Sequence, residues 1–224
     1  MNKEVVLQKP RRTQAERTAT TRAALIDATI RVLHENGYGA ATSERIADVS
    51  GVSRASIIHH YGSRTQLLAE VVRTVFDREL QEVLEIEHAT GLGNNVEDWP
   101  ELLWDLYSRP SGLAVLEILI AARSDAELSA LVGATLRENE HGHLDRLMTK
   151  FGGSSDQTIS AFRLLVWSVR GLSAATMLVD DPEGVKQSVA LFKTIISSAV
   201  EQGILKPDDP HPSQQISPGE NDSD

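Results

Sequence analysis

Residues 42–61 read TSERIADVSGVSRASIIHHY, and this stretch decides the fold. Thr42 stands where a short helix needs a side-chain oxygen to cap its free N–H groups, and Glu44 puts an acid in the first turn, where the helix dipole favours one. Ile46, Ala47 and Val49 face inward. Ser50 and Gly51 end this helix: a tight turn between two helices needs one left-handed residue, and Gly51 supplies it. Val52 adds an apolar plug, and Ser53 is placed to cap a second short helix predicted over 54–60. With Ile57 turned to the core, Arg54, Ala55, Ser56, His59 and His60 form a donor-rich outer face at the positive end of the dipole. Such a helix-turn-helix suits the major groove of DNA.

The flanks extend the pattern. Upstream, Leu25, Ala28, Thr29, Val32 and Leu33 recur at the spacing of one helical face, and Glu35-Asn36-Gly37 closes that helix. Downstream, Ser63-Arg64-Thr65-Gln66 has the form of a capping box opening a long helix to about Leu84. The succession helix, ENGYGAAT, IA, GVS, IIHHY and then SR resembles the N-terminal domain of TetR-family (tetracycline-repressor-like) transcriptional regulators, over about residues 20–72.

That resemblance implies DNA contacts at Thr42, at Ser53, Arg54, Ala55, Ser56, His59 and His60, and at Arg64. Arg64 stands where the family usually has lysine, and either side chain holds a phosphate. Ile58 replaces a typical tyrosine and has no donor, so that phosphate contact is absent or passes to His59. Ala55, where glycine is frequent, limits how closely the backbone approaches base edges. For the histidine pair two readings stand: one solvated and one packed, or at least one on DNA. Neighbouring helix positions diverge by about 100° and cannot share a metal ion.

Charge divides the chain in the same way. Residues 1–64 hold ten Lys and Arg against six Asp and Glu, a balance of +4, whereas residues 65–224 hold twelve against twenty-six, a balance of −14. A locally basic head on an acidic body fits site-directed binding better than nonspecific coating of nucleic acid. Cysteine is absent, which excludes disulfides, thiol catalysis and cysteine metal sites. The polar N-terminus has no signal-sequence pattern and no apolar run approaches the ~20 residues a bilayer span needs, so a cytoplasmic protein is expected. Glycine-rich phosphate loops, nucleophile elbows and HExxH are missing, so no enzyme is expected, and no cofactor or metal. His141-Gly142-His143 would need a break at the glycine for its rings to converge, and Glu138, His141 and Asp145 share a face of the kind usually left to solvent.

The rest predicts an all-α chain of about nine helices. A basic, irregular leader (1–16, with Lys3, Lys9, Arg11 and Arg12) precedes a helix-turn-helix domain (17–64), a larger helical effector-binding and dimerisation domain (65–205) and a disordered tail (206–224) with Pro207, Pro210, Pro212 and Pro218. A loop is predicted over 89–95, a short helix from Asp98-Trp99-Pro100 to Tyr107, an apolar helix over 113–123 and a longer one from Asp125 to Phe151. Ser154-x-x-Gln157 opens the next, and Asp181-Pro182 opens the last.

In that final helix Val185, Val189, Phe192 and Ile196 form one apolar face, and Leu191 and Ile195 part of another. The surplus predicts a dimer interface, with small residues around Gly171 on the preceding helix letting neighbours approach. The resemblance implies a four-helix bundle between subunits, and a pocket whose small-molecule ligand alters the spacing of two DNA-binding heads. Pocket candidates are Trp104, Tyr107, Glu117, Trp167, Arg170 and Met177. Glu117 and Arg170 have a purely structural alternative, exposure or a mutual ion pair. The expected function is a ligand-responsive repressor that binds a palindromic operator as a homodimer. The alternative is an effector-independent architectural or chromosome-organising protein on the same fold.

Overall fold

A computed structural model describes residues 13–142, 144–151 and 154–205. Most of the expected leader, the whole expected tail, His143 and Gly152-Gly153 lie outside the described residues. Among those described, ten α-helices and three short 3-10 turns account for the regular structure, and no strand occurs. The helices are α1 (Gln14–Asn36), α2 (Ser43–Ser50), α3 (Arg54–Tyr61), α4 (Arg64–Thr90), α5 (Trp99–Tyr107), α6 (Pro110–Ala121), α7 (Ala126–Gly142), α8 (Leu144–Phe151), α9 (Ser155–Ala175) and α10 (Pro182–Glu201).

The all-α expectation holds. Of the stretch from Asp125 to Phe151, expected to be one helix, α7 up to Gly142 and α8 from Leu144 are described. Helix α4 runs past Leu84 to Thr90, because Val83 and Ile86 continue its apolar stripe into a second core. Pro110, taken from sequence as part of a breaker, is instead the first residue of α6, where its missing N–H costs nothing.

The capping residues act largely as their spacing predicts. Thr42 Oγ1 accepts from Arg45 N–H at 3.2 Å, Asp125 Oδ1 from Leu128 N–H at 3.0 Å, and Asp181 Oδ1 from Gly184 N–H at 2.9 Å. Ser154 and Gln157 form a reciprocal capping box. Ser53 differs: it sits at the N-cap of α3 but its hydroxyl lies 3.0 Å from the Ser56 hydroxyl and caps no backbone group.

The chain divides into two compact units. The first takes the described residues up to Val75 together with Pro110–Gly133. Its core joins Leu25, Val32 and Leu33 of α1, Ile46 of α2, Ile57 of α3, Leu67, Leu68, Val71 and Val72 of α4, and the buried side of α6. The second unit takes Phe76–Arg109 and the described residues from Ala134 onward. It is built on Trp99, Leu102, Leu103, Leu106 and Tyr107 of α5, packed with Val83, Leu147, Leu165, Val169 and Ile196.

Gly51 joins α2 to α3 with φ 68° and ψ 19°, the left-handed conformation read from the sequence. A Cβ built there meets nothing within 4 Å, so substitution is opposed by backbone conformation alone. Gly51→Ala is therefore expected to destabilise the first unit by about 1 kcal/mol, measurable as a lower denaturation midpoint with an unchanged slope.

Candidate DNA interface and ligand cavity

The helix-turn-helix is fixed from behind by two arginines. Arg22 of α1 donates from Nη1 to the His60 carbonyl at 2.8 Å, pairs with Glu70 at 2.9 Å, and lies over the Tyr61 ring at 4.4 Å. Tyr61 Oη donates back to the Arg22 carbonyl at 3.1 Å. Together these groups satisfy the C-terminal end of α3 and set its direction. Arg64 does the same for the approach to α2: its Nε donates to the Ala41 carbonyl at 2.5 Å, its Nη2 to the Tyr38 carbonyl at 3.1 Å, and its guanidinium covers the Tyr38 ring at 4.6 Å. Glu117 of α6 completes this clamp, its Oε2 accepting from Tyr38 N–H at 3.1 Å.

Among the residues expected at DNA, Thr42, Ser53, Arg54, Ala55 and His59 are exposed and Ser56 is half-exposed. They lie at the start of α2 and along the outer side of α3. Arg54 Nη1 rests 2.6 Å from Glu44 Oε1, both largely in water, a pairing worth at most about 1 kcal/mol and easily exchanged for a phosphate. Ile58, where the donor of the family pattern is missing, is 60% exposed on this same helix. His60 is half-buried against the Arg22 network, and burial first, then His59 and Arg22, holds its imidazole below the ordinary value. It is thus the packed member of the pair, its ring edge-on to His59 with centroids 4.8 Å apart. Arg64 is half-buried with its donors used inside the unit, a role that its position in a DNA-contact pattern did not suggest.

The second unit holds a cavity of about 100 Å³. Its walls come from α4 (Phe76, Glu79, Val83), α5 (Trp99, Leu103, Tyr107), α7, α8 (Arg146, Leu147) and α9 (Phe162, Val166, Trp167, Arg170). Three of the pocket residues expected from sequence, Tyr107, Trp167 and Arg170, line it together. The other three do not. Trp104 packs half-buried against the α5 core, Met177 is exposed beyond the end of α9, and Glu117 belongs to the first unit, bonded to Tyr38.

Arg170 is only 2% exposed. Its guanidinium lies 3.9 Å from the centroid of Tyr107 and 5.6 Å from that of Phe76, and its Nη2 is 3.9 Å from Glu79 Oε2, too far for a hydrogen bond. Arg170 Nη1 and Glu79 Oε1 are buried without hydrogen-bond partners. Burial, offset in part by Arg170 and Arg109, pushes the Glu79 carboxyl up to about 7, and burial likewise pushes the Tyr107 hydroxyl to about 12. The other two arginines in the wall are engaged, Arg146 by Glu87 and Arg163 by Glu140. Glu79 was missed in the sequence reading, although the signal was there: Val72, Phe76, Glu79, Val83 and Ile86 form one helical stripe, and a carboxylate inside an apolar stripe is anomalous.

The residues expected at a dimer interface are placed differently. Val185, Val189 and Ile196 are buried within the chain itself, and Phe192 is half-buried against the α5 core. The face of α10 that remains open carries Leu191 and Ile195, 62% and 54% exposed, and α9 adds Leu164 and Trp167, 64% and 48% exposed. The sequence pattern identified both faces of α10 but assigned the inner one to the partner. Among the described residues no cluster of His, Asp and Glu could hold a metal ion, and His141 Nδ1 sits 2.9 Å from the Arg137 carbonyl. No helix among them is long and apolar enough to cross a membrane.

Arg54→Ala is expected to weaken DNA binding with the melting temperature nearly unchanged. Arg64→Ala should lower both, with a stability loss of about 1–3 kcal/mol from the buried Ala41 carbonyl left without the arginine donor. Gel shift and thermal melting on the two variants distinguish a contact from a support.

Comparison with known proteins agrees with this geometry. The profile for bacterial regulatory proteins of the tetR family matches residues 25–71. The HTH-type transcriptional regulator CymR of Pseudomonas putida is 30% identical over 184 residues, 77% of this chain and 87% of that protein. Among solved structures, Salmonella enterica GusR superposes with a TM-score of 0.60 at 16% identity, covering 81% of this chain and 95% of that one. A transcriptional regulator from Rhodococcus sp. RHA1 gives 0.59 at 19% identity, covering 80% and 96%. The chain belongs to the TetR family: it is a DNA-binding transcriptional regulator and not an enzyme.

Proposed function

We propose that the protein is a ligand-responsive repressor that binds a palindromic operator as a homodimer and leaves it when a small molecule fills the cavity of the second unit. Residues 17–64 are the DNA-binding head and 65–205 the effector-binding and dimerising body. Arg54, Ala55, Ser56 and His59 read the major groove, Thr42 and Ser53 hold phosphates at the helix starts, and His60 and Arg64 set the helices from behind. The observation that carries this reading is the cavity itself. An apolar chamber lined by a buried arginine and a buried glutamate, each with an unpartnered atom, is far from the best arrangement for stability alone. It has the composition of a ligand site, apolar walls with a few convergent polar groups.

Support for the homodimer comes from surplus apolar area. Leu164 and Trp167 on α9, and Leu191 and Ile195 on α10, recur at helical spacing and leave an apolar stripe on each helix in water. A second copy of the chain, related by a two-fold axis, covers such a stripe with itself.

Two measurements test the proposal on the full-length protein. DNA fragments retained from its own genome should share a palindrome, and some member of a small-molecule panel should both raise the melting temperature and release the operator in a gel shift. Broad retention without a shared site, and no ligand response, would instead indicate an architectural protein. Ile195→Glu should give half the wild-type mass in sedimentation at micromolar concentration and lose most operator affinity, since one head lacks the effective concentration of two. Phe192→Glu should act differently, lowering the melting temperature by placing a charge against the α5 core. A dimeric, tight-binding Ile195→Glu variant would place the interface elsewhere.

A further inference from the structure

The polar groups of the cavity narrow the chemistry of its occupant. A cationic ligand would need an aromatic face or a free carboxylate. Of the five aromatic side chains in the wall, those of Tyr107 and Phe76 already lie by Arg170, at 3.9 and 5.6 Å, which leaves Trp99, Phe162 and Trp167, and among the described wall residues the carboxylate without an arginine in hydrogen-bond range is Glu79, itself 3.9 Å from Arg170. A cation entering there would lie against a buried guanidinium. An anion meets the opposite situation: Arg170 Nη1 is a buried donor with no acceptor. Size sets a second limit. An engineered apolar cavity of about 150 Å³ takes up benzene, and about 100 Å³ is of the same order, which suits a compact ligand built on a single ring or a short alkyl chain.

Resting on the ligand-responsive reading above, we infer that the effector is a small, mostly apolar monocarboxylate, whose carboxylate accepts from Arg170 while Glu79 takes up one proton from solvent and donates to the same anion. The ligand replaces Glu79 as counter-charge of Arg170, so the charge of the cavity is the same before and after binding. Apolar ring or alkyl surface faces Leu103, Val166 and Trp167.

The proton balance follows from what surrounds Glu79. Arg170 of α9 and Arg109 beyond α5 favour its charged form, while burial and Glu82 on its own helix oppose it. Tyr107 of α5 faces it as a neutral phenol. Arg109 is itself tied to Glu82 and Asp105, and the charges that α7, α8 and α9 add, Glu140, Arg146 and Arg163, are paired. The carboxyl stands near 7 without ligand, and an anion beside it raises it further. Binding therefore takes up little proton well below pH 7 and close to one proton above it, and affinity falls as pH rises through 7, by about tenfold between about pH 6 and about pH 8.

Calorimetric titration of the full-length protein tests this with benzoate and phenylacetate against benzamide and benzylamine, at both pH values and in two buffers of different ionisation heat. Both acids should bind at least about tenfold more tightly than the amide, with the stated pH slope and with a buffer-dependent heat that reports proton uptake. Glu79→Gln, which keeps a donor but cannot titrate, should bind the acids with a flat pH profile. In the double variant Glu79→Gln, Arg170→Gln, which leaves neither charge alone, acids should bind no better than the amide. Equal binding of acid and amide, preference for the amine, a flat wild-type profile, or no acid binding up to about 10 mM would each overturn the inference. If amide or amine binds and releases the operator, the inference falls while the repressor reading stands. If acids bind with the expected slope but never release the operator, the reverse is true.

Discussion

A guanidinium buried in an apolar layer needs a counter-charge and acceptors for its donors, and Arg170 finds only part of each. Taking such a charge out of water costs several kcal/mol even after relaxation. It is repaid here by the rings of Tyr107 and Phe76 and by Glu79 at the margin of ion-pair distance. Those three partners come from α5 and α4, so one side chain on α9 ties together three of the helices that wall the cavity. The incomplete pairing also leaves one nitrogen of Arg170 and one oxygen of Glu79 buried without hydrogen-bond partners in two residues of the cavity wall. A carboxylate held near 7 and a phenol held near 12 follow from the same desolvation.

The first unit is arranged on the opposite principle. Arg22 and Arg64 are half-buried and well supplied with acceptors, namely the carbonyls of His60, Ala41 and Tyr38 and the Glu70 carboxylate. Glu117 accepts from the Tyr38 N–H. Each of these groups satisfies backbone at a helix end, where free N–H and C=O groups concentrate. A reading helix presented to DNA has to keep its angle, and the cost of a misplaced helix falls on every base contact at once. Spending the arginines behind α3 leaves the outer face to Arg54, Ser56 and His59, side chains with few internal duties.

How far these features were legible in the sequence depends on the range of the interactions that produce them. Local chemistry was readable: Thr42, Asp125, Ser154 and Asp181 cap because each accepts from the N–H three residues on, and Gly51 turns because only glycine tolerates its φ without strain. Long-range choices were not. The pattern of α10 showed two apolar faces, but which one meets α5 is decided by packing across ninety residues, and Val185, Val189 and Ile196 went inward. Glu117 and Arg170 both looked like charges stranded on apolar helices. Glu117 bonds to the first unit's Tyr38 and Arg170 faces a cavity in the second, a distinction that helical periodicity cannot contain.

Trp167 connects the two properties of the second unit that its sequence left separate. Its ring lines the cavity, yet it is 48% exposed, on the same side of α9 as Leu164. Water on the outer edge of an indole lowers the free energy of moving that ring outward, and covering the edge raises it. Any surface that packs on Leu164, Leu191 and Ile195 therefore stiffens one wall of the cavity. Conversely, a ligand that displaces Trp167 changes the apolar area this stripe presents, at roughly 25 cal/mol per Å². On the proposed reading, association and ligand binding in this unit would share Trp167, and by linkage whatever free energy one contributed to its position would be felt equally by the other.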